Sequence, residues 1–202
     1  DGGNGNNGSW GDSYNFPYGS GPGGCCGFFQ PSQNLVNAFK TDADGLPLLT
    51  TFNDVDVKND EGLAAADAFT PYEGTVDPRL DWTVGRRGIP FLNWGVHPGK
   101  TWIRDQSFAG PYTFKKFFAY SGENAGAESP RANSNNYRAI RYADILLMRA
   151  EVAVEENDLA TALDIVNQIR RRAANDIVTQ SDGKPAANYL VKPYSAFANQ
   201  EY

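Results

Sequence analysis

Aromatic residues interleaved with small polar ones are the side chains of this sequence best suited to ligand chemistry. Trp10, Tyr14 and Tyr18 lie in a glycine-rich tract over residues 1–30, with the polar neighbours Asn7, Asp12 and Asn15. Sugar rings carry patches of C–H groups that stack on Trp and Tyr, and their hydroxyls bind Asn, Asp, Gln and Arg. The pattern predicts a glycan-stacking site, with these three aromatics as the first candidates.

Three tryptophans farther along the chain, Trp82, Trp94 and Trp102, are the second candidates. They lie in segments rich in proline and glycine, which we expect to be extended or irregular. A competing interpretation applies to all six aromatics, because a Trp or Tyr in a loop is more often a packing anchor than a platform for a ligand.

The sequence offers little for catalysis. It contains one histidine, His97, so a Ser/His/Asp triad has no obvious base, and we interpret His97 as a structural or surface residue. A glycosidase would need two carboxylates across a cleft. With 24 acidic residues in the chain, some pair of carboxylates is inevitable and indicates nothing. We therefore expect no catalytic residues, and a binding protein rather than an enzyme.

No motif predicts a metal or a cofactor. Residues 42–45 read Asp-Ala-Asp-Gly, which resembles the start of a calcium loop, but Thr51 stands where a bidentate glutamate should close it. We expect a turn there instead. The glycines within residues 19–24 match a dinucleotide-binding spacing, yet Pro22 interrupts them and no strand is predicted before them.

The two cysteines of the chain, Cys25 and Cys26, are adjacent. A vicinal disulfide requires a strained ring that neighbouring residues seldom reach. We therefore expect two reduced thiols packed beside Phe28 and Phe29, with a disulfide as the open alternative. A zinc site would need further ligands, and His97 is distant in sequence.

Length, charge and hydropathy narrow the function classes. The chain has 202 residues, 41% of them hydrophobic, which suffices for a packed core. Its net charge is −6 and its basic clusters are isolated, which argues against nucleic acid as a partner. The sequence contains no membrane-spanning stretch and no signal peptide. Its ends do not resemble natural termini, so we expect a fragment truncated at both ends.

Two amphipathic helices are predicted over residues 141–173. The first has an apolar face at steps of three and four residues, formed by Ile140, Ala143, Leu147, Ala150 and Val154 and widened by Tyr142, Leu146 and Ala153. Asp158 can cap the second helix, because its carboxylate can accept a free backbone N–H. The short connection predicts an antiparallel, tetratricopeptide-type pair, and other helices must cover its remaining faces.

The remaining organisation is irregular. A short helix is expected within residues 31–39, with proline at its start, and residues 77–80 form a second break in the pattern. We divide the chain into a loop-rich, ligand-side segment over residues 1–136 and a helical segment over residues 137–202, as parts of one continuous domain. The predicted fold class is mainly α, with long irregular loops and short strands.

Four sequence blocks, in this order, resemble the C-terminal half of the SusD/RagB family of outer-membrane nutrient-binding lipoproteins. The blocks are GFFQPSQNLVNAF with the following TDADG turn (27–45), DPRLDWTV (77–84), NNYRAIRYADILLMRAEV (135–152) and DLATALDIVNQIRRRA (158–173). The resemblance spans about residues 20–200. It implies a SusD-like fold in which tetratricopeptide-type helix pairs support a loop-rich ligand side.

The resemblance also implies a function. Family members lie at the cell surface, anchored by lipid to the outer membrane, and cap a SusC-like TonB-dependent transporter. They bind oligosaccharides, or peptides in some members, and deliver them without cleaving them. Family glycan contacts tend to precede the QPSQ-type block, which favours Trp10, Tyr14 and Tyr18 in this chain.

Two alternatives stay open beside this interpretation. The helix pair could make the chain a protein–protein adaptor without a sugar site, or the ligand could be a peptide. A fragment of a glycan-active enzyme is a weaker third possibility. Binding to a panel of polysaccharides, capture of a β-barrel transporter and release of a cleavage product would distinguish them.

Overall fold

A computed structural model describes residues 16–116, 118–123 and 138–197 of the chain. This part contains four α-helices, one 3-10 helix and two short strands: α1 (Gln33–Asn37), α2 (Arg79–Thr83), β1 (Val84–Gly85), the 3-10 helix (Lys100–Trp102), β2 (Thr113–Phe114), α3 (Tyr142–Glu155) and α4 (Leu159–Asn175). Helix is the main regular structure, but it covers only 26% of the described residues. The fold class predicted from sequence therefore overstates the helical share, because most described residues form turns and irregular segments.

The two long helices, α3 and α4, pack against each other through small residues. Ala150 and Ala153 of α3 are buried, as are Ala162 and Ala173 of α4. Their short side chains permit close approach of the two helix backbones. The Asp158 carboxylate accepts the Thr161 N–H at 3.1 Å, which confirms the predicted cap.

The apolar face predicted for α3 is only partly buried in the described structure. Ala150 is buried as expected, but Ile140 is 66% exposed, Tyr142 73% and Leu147 40%. The sequence has a continuous apolar stripe along α3, but α4 covers only the part of it around Ala150 and Ala153. Of the rest of the stripe, Ala143, Leu146 and Val154 are half-buried, whereas Ile140, Tyr142 and Leu147 are exposed in the described structure.

The hydrophobic core lies among the short elements. It joins α1, α2 and β1 to the irregular segments around them and consists of Val36, Val57, Val76, Leu80, Val84 and Tyr112. β1 pairs antiparallel with β2, which brings Val84 opposite Phe114. Side chains distant in sequence thus pack together into one hydrophobic core.

A buried polar cluster joins α2 to two other segments. The Asp81 carboxylate is fully buried and binds the Arg86 guanidinium through two hydrogen bonds of 2.6 and 2.8 Å. The Tyr189 hydroxyl donates to the same carboxylate at 2.6 Å, and Lys115 Nζ donates to the Asp81 carbonyl at 2.6 Å. Such a cluster tolerates burial because the charges have partners and the cluster is hydrogen-bonded.

The helix pair is attached to the loop-rich part by Arg170 of α4. Its guanidinium donates to the carbonyls of Gly45 and Lys192, each at 2.7 Å, and stacks over the Tyr194 ring at 4.5 Å. Asp42 Oδ1 accepts the Asp44 N–H at 2.8 Å within the same turn. The predicted turn is therefore present over residues 42–45, and its side-chain contacts hold the backbone that Arg170 binds.

Candidate ligand-binding surface

The six aromatic residues predicted to stack on sugar have different surroundings. Trp10 and Tyr14 lie outside the described residues. Tyr18 is 40% exposed, and its N–H donates to the Trp102 carbonyl at 2.9 Å. The structure thus joins the backbones of Tyr18 and Trp102. Of these two candidates, only Tyr18 exposes a substantial part of its side chain to solvent.

The tryptophans at 82, 94 and 102 have packing partners. Trp102 is 9% exposed, and its ring packs edge-on against His97. Trp82 Nε1 donates to the Asp176 carbonyl at 2.8 Å, and Trp94 Nε1 donates to the Ala119 carbonyl at 2.9 Å. Trp82 and Trp94 are half-buried, and each joins segments distant in sequence.

Tyr18 belongs to a surface that we call the aromatic–arginine surface, formed by Tyr18, Phe28 and Arg104. The Arg104 guanidinium lies 4.3 Å from the centroid of the Phe28 ring and 5.8 Å from that of Tyr18. Its Nη1 donates to the Cys26 carbonyl at 2.9 Å. Phe28 is 44% exposed and Tyr18 is 40% exposed, so two partly exposed aromatic rings lie beside a positioned cation at the surface.

Glycine at position 27 permits this close arrangement. A Cβ atom on Gly27 would lie 2.9 Å from the Cβ atoms of both Tyr18 and Arg104. Its φ of 62° lies in the left-handed region that glycine adopts readily. The Gly27 N–H donates to the Phe16 carbonyl at 2.9 Å. This hydrogen bond joins the two ends of the loop over residues 16–27.

The cysteines preceding Gly27 are joined in a vicinal disulfide, Cys25–Cys26. The expectation of two reduced thiols was therefore wrong. A backbone bridge pairs Tyr18 with Cys25, the first residue of the disulfide. The disulfide lies directly beside the carbonyl that binds Arg104.

Arg104 also lines a cleft of about 340 Å³. The other lining residues are mostly polar and come from two loops: Glu61, Gly62, Lys100, Ile103, Asp105, Gln106 and Ser107. The Ser107 N–H and hydroxyl donate to Asp105 Oδ1 at 2.9 and 2.7 Å and lower the pKa of the Asp105 carboxyl. The cleft therefore supplies hydrogen-bonding groups next to the two aromatic rings.

The side chain of Gln30 positions the cleft relative to the aromatic rings. Its Nε2 lies within hydrogen-bonding distance of the carbonyls of Asp105, Phe108 and Gly110, at 2.7, 3.0 and 2.7 Å. Its Oε1 accepts the Asp105 N–H at 3.2 Å. Gln30 is 9% exposed and joins the loop after Phe28 to the loop after Arg104. One buried amide thus fixes both sides of the candidate site.

His97 has a structural role beneath this region. It is 1% exposed, Nδ1 accepts the Gly99 N–H at 3.1 Å, and Nε2 lies 3.1 Å from the Thr113 hydroxyl. Burial, and secondarily the charge of Lys115, lowers the His97 pKa to about 3. The ring is therefore neutral at physiological pH and is not a proton carrier.

Comparison with known proteins decides the family. The model of the SusD family matches residues 1–200. This chain belongs to the SusD family. Members of this SusD/RagB family are nutrient-binding proteins associated with the outer membrane, and they bind rather than catalyse. A search of curated proteins found no match.

The sequence blocks that resemble the SusD family build identifiable parts of this structure. The block at 27–39 contains Gly27, Gln30 and helix α1, and the block at 77–84 contains helix α2 with the buried Asp81. The last two blocks form α3 and α4. No helix in the described part of this SusD-family chain is both long and apolar enough to span a membrane.

Sequence reasoning missed three residues of the candidate site. Phe28 was expected only to pack beside the cysteines, and Gln30 lies in a block that indicated only the family resemblance. Arg104 lies in a segment with no pattern that indicates a ligand. The only available signal was the aromatic pair preceding Gln30. Arg104 could not be assigned, because 76 residues separate it from Phe28 and local periodicity cannot pair them.

Proposed function

We propose that this chain binds an oligosaccharide on the aromatic–arginine surface and delivers it, uncleaved, to a SusC-like TonB-dependent transporter. The observation that carries the proposal is the exposed pair of rings, Tyr18 and Phe28, held around Arg104 at the edge of a polar cleft. Family membership supplies the nutrient-binding role, and this surface supplies chemistry suited to sugar.

The surface offers the two contacts that a sugar needs. The ring faces can stack on C–H patches, while Gln106, Lys100 and the Arg104 guanidinium can bind hydroxyls. A volume of about 340 Å³ is at the lower end of the usual range for small-molecule sites. It suits one or two sugar units of a longer chain that continues across the surface.

Several finer features remain part of the proposal. We propose that α3 and α4 form a tetratricopeptide-type pair within the helical segment over residues 137–202. The loop-rich segment over residues 1–136 would supply the ligand contacts. A lipid anchor would hold the protein at the outer surface of the cell, where glycans arrive before import.

Calorimetry against a panel of oligosaccharides tests the binding site. We expect Tyr18→Ala to weaken binding of the best ligand about 10-fold, since aromatic stacking contributes roughly 1 kcal/mol or more. Tyr120→Ala is the matched control, because Tyr120 is 41% exposed, against 40% for Tyr18. Equal losses in both variants, or a ligand that neither variant affects, would remove the site from this surface.

One observation favours the alternative function of a protein adaptor. Ile145, Met148 and Val152 of α3 are 48%, 56% and 55% exposed and lie at helical spacing on one face. An exposed apolar row of this kind is typical of a protein contact. The two functions are compatible if the helix contacts the transporter while the loops hold the ligand.

Capture of a SusC-like transporter separates the two functions. We expect Met148→Asp to reduce capture while leaving glycan affinity within about twofold of the unmodified protein. Peptides belong in the ligand panel, because some members of the family bind them. Capture without any glycan or peptide binding would leave only the adaptor function, and release of a shortened glycan would indicate an enzyme.

A further inference from the structure

We propose that the preferred ligand is an acidic saccharide, and that Lys100 and Arg104 bind a carboxylate of its uronic acid units. This inference rests on the proposed glycan-binding function and narrows it to one chemical class. It follows from the position of the two cations, which line one cleft beside the aromatic–arginine surface.

No carboxylate of the described residues forms an ion pair with either cation of the cleft. Within residues 16–116, 118–123 and 138–197, the ion pairs involve other cations, namely Arg79, Arg86, Arg87, Arg141, Arg171 and Lys184. Lys100 and Arg104 are both exposed and line the same cleft, although the chain carries a net charge of −6. Two exposed cations in one concavity can each form a charge-assisted hydrogen bond with an anionic group of a ligand.

The acids of the cleft do not remove this preference. The Asp105 carboxylate accepts two hydrogen bonds from Ser107, one from its N–H and one from its hydroxyl. Glu61 is exposed and forms no ion pair with a described cation. Because the two charge signs are balanced across the cleft, recognition of an anion has to come from direct contact with Arg104 and not from a broad positive field.

Arg104 is held in place before any ligand arrives. Nη1 is bound to the Cys26 carbonyl, and the guanidinium plane is stacked near Phe28, while no described partner accepts from Nε or Nη2. An arginine fixed in this way loses less conformational entropy when it binds a carboxylate. A carboxylate can accept from the remaining N–H groups with charge-assisted hydrogen bonds.

A uronic acid matches both halves of the surface. Its ring has C–H patches that can stack on Tyr18 or Phe28, and its carboxylate replaces the hydroxymethyl group of a neutral hexose. Stacking and ion pairing can therefore come from one sugar unit. A neutral oligosaccharide would use the rings but would leave the charge of Arg104 without an anionic partner.

Calorimetry with a matched set of ligands tests the inference. The probes are an oligogalacturonate of four units, its methyl ester, and a neutral oligosaccharide of four units. We expect the ester and the neutral ligand to bind about 10-fold or more weakly than the acid, because a charge-assisted hydrogen bond contributes roughly 1.5–3 kcal/mol. Affinity for the acid should also fall as the salt concentration rises.

Two variants locate the contact. Arg104→Gln should reduce affinity for the oligogalacturonate about 10-fold or more, and Lys100→Gln should reduce it by a smaller factor without disturbing the contact with Cys26. Lys184→Gln is the control, because Lys184 is an exposed cation outside the cleft. Thermal unfolding of every variant separates lost contacts from lost folding.

Each outcome bears on one of the two proposals. If the neutral ligand or the ester binds as well as the acid, the acidic preference is overturned while the glycan-binding function stands. Unchanged affinity of folded Arg104→Gln and Lys100→Gln for the acid would overturn the assignment of these cations. Binding of no saccharide at all, over a broad panel, would instead overturn the proposed function itself.

Discussion

Single residues with unusual constraints define the candidate site. Phe29 and Ala109 have positive φ values of 58° and 65°, which cost free energy for residues other than glycine. Hydrogen bonds hold the backbone around both residues. The side-chain amide of Gln30, the residue after Phe29, binds the carbonyls of Phe108 and Gly110 on either side of Ala109. The Gln33 N–H donates to the Ala109 carbonyl at 3.2 Å. The strain is thus maintained by contacts between two loops that border the aromatic–arginine surface.

Gly27 provides the sharpest test at this scale. Gly27→Ala introduces a Cβ that meets Tyr18 and Arg104 and also strains a backbone with φ of 62°. We expect a loss of about 1–3 kcal/mol in the free energy of unfolding and a loss of ligand affinity. Urea denaturation and calorimetry measure the two effects.

Gly183→Ala is the control for backbone strain alone. Gly183 has φ of 81°, and a Cβ there would meet nothing within 4 Å. We expect a smaller loss of stability than for Gly27→Ala and unchanged ligand affinity. If the two variants lose the same stability and both retain affinity, close packing at Gly27 does not shape the binding surface.

Elements with strong local signals were the ones predictable from sequence. Helices α3 and α4 follow their apolar period, and the Asp158 cap follows from residue type and position. The irregular part depends on contacts such as Gln30 with the Asp105 carbonyl and Tyr189 with Asp81, 75 and 108 residues apart. No local pattern encodes such pairs, so Tyr18 could be proposed from its neighbours, whereas Arg104 could not.

The buried pair of α2 allows a prediction about element packing. Arg86→Met leaves the Asp81 carboxylate fully buried without its guanidinium partner. We expect the free energy of unfolding to fall by about 3–5 kcal/mol, measured by urea denaturation. Replacing both residues, in Asp81→Leu with Arg86→Met, should recover part of this loss, although Tyr189 and its hydroxyl then lose an acceptor.

An exposed ion pair serves as the comparison. Asp164→Asn removes the pair with Arg171, whose side chains are 79% and 52% exposed. Solvent screens such a pair, so we expect a change below about 1 kcal/mol. A loss of similar size in Asp164→Asn and Arg86→Met would mean that Asp81 and Arg86 do not stabilise the packing of α2.

The whole molecule combines an exposed helix face with a loop-built surface, connected through Arg170. In the described structure, the α3 row and the aromatic–arginine surface share no residue, and Arg170 joins α4 to the Gly45 turn. This separation would let a ligand and a transporter be bound at once. A substitution on one surface should therefore change binding at that surface only. Binding at the other surface then serves as the control.

Acid stability of the whole molecule should depend on His97. Its folded pKa of about 3 lies below the ordinary value of 6.5, so between these pH values the unfolded chain binds the extra proton. The stability that the neutral ring provides is fully present above pH 6.5 and is lost as the pH falls toward 3, at up to about 1.4 kcal/mol per pH unit.

Comparison with the variant His97→Gln isolates the contribution of His97, because the carboxylates of the protein titrate over the same pH range in both proteins. That variant should be less stable at pH 7, because it loses packing against Trp102, but its stability should fall less steeply between pH 6.5 and 4 in urea denaturation. Parallel pH profiles for the two proteins would show that His97 is protonated without cost in the folded state.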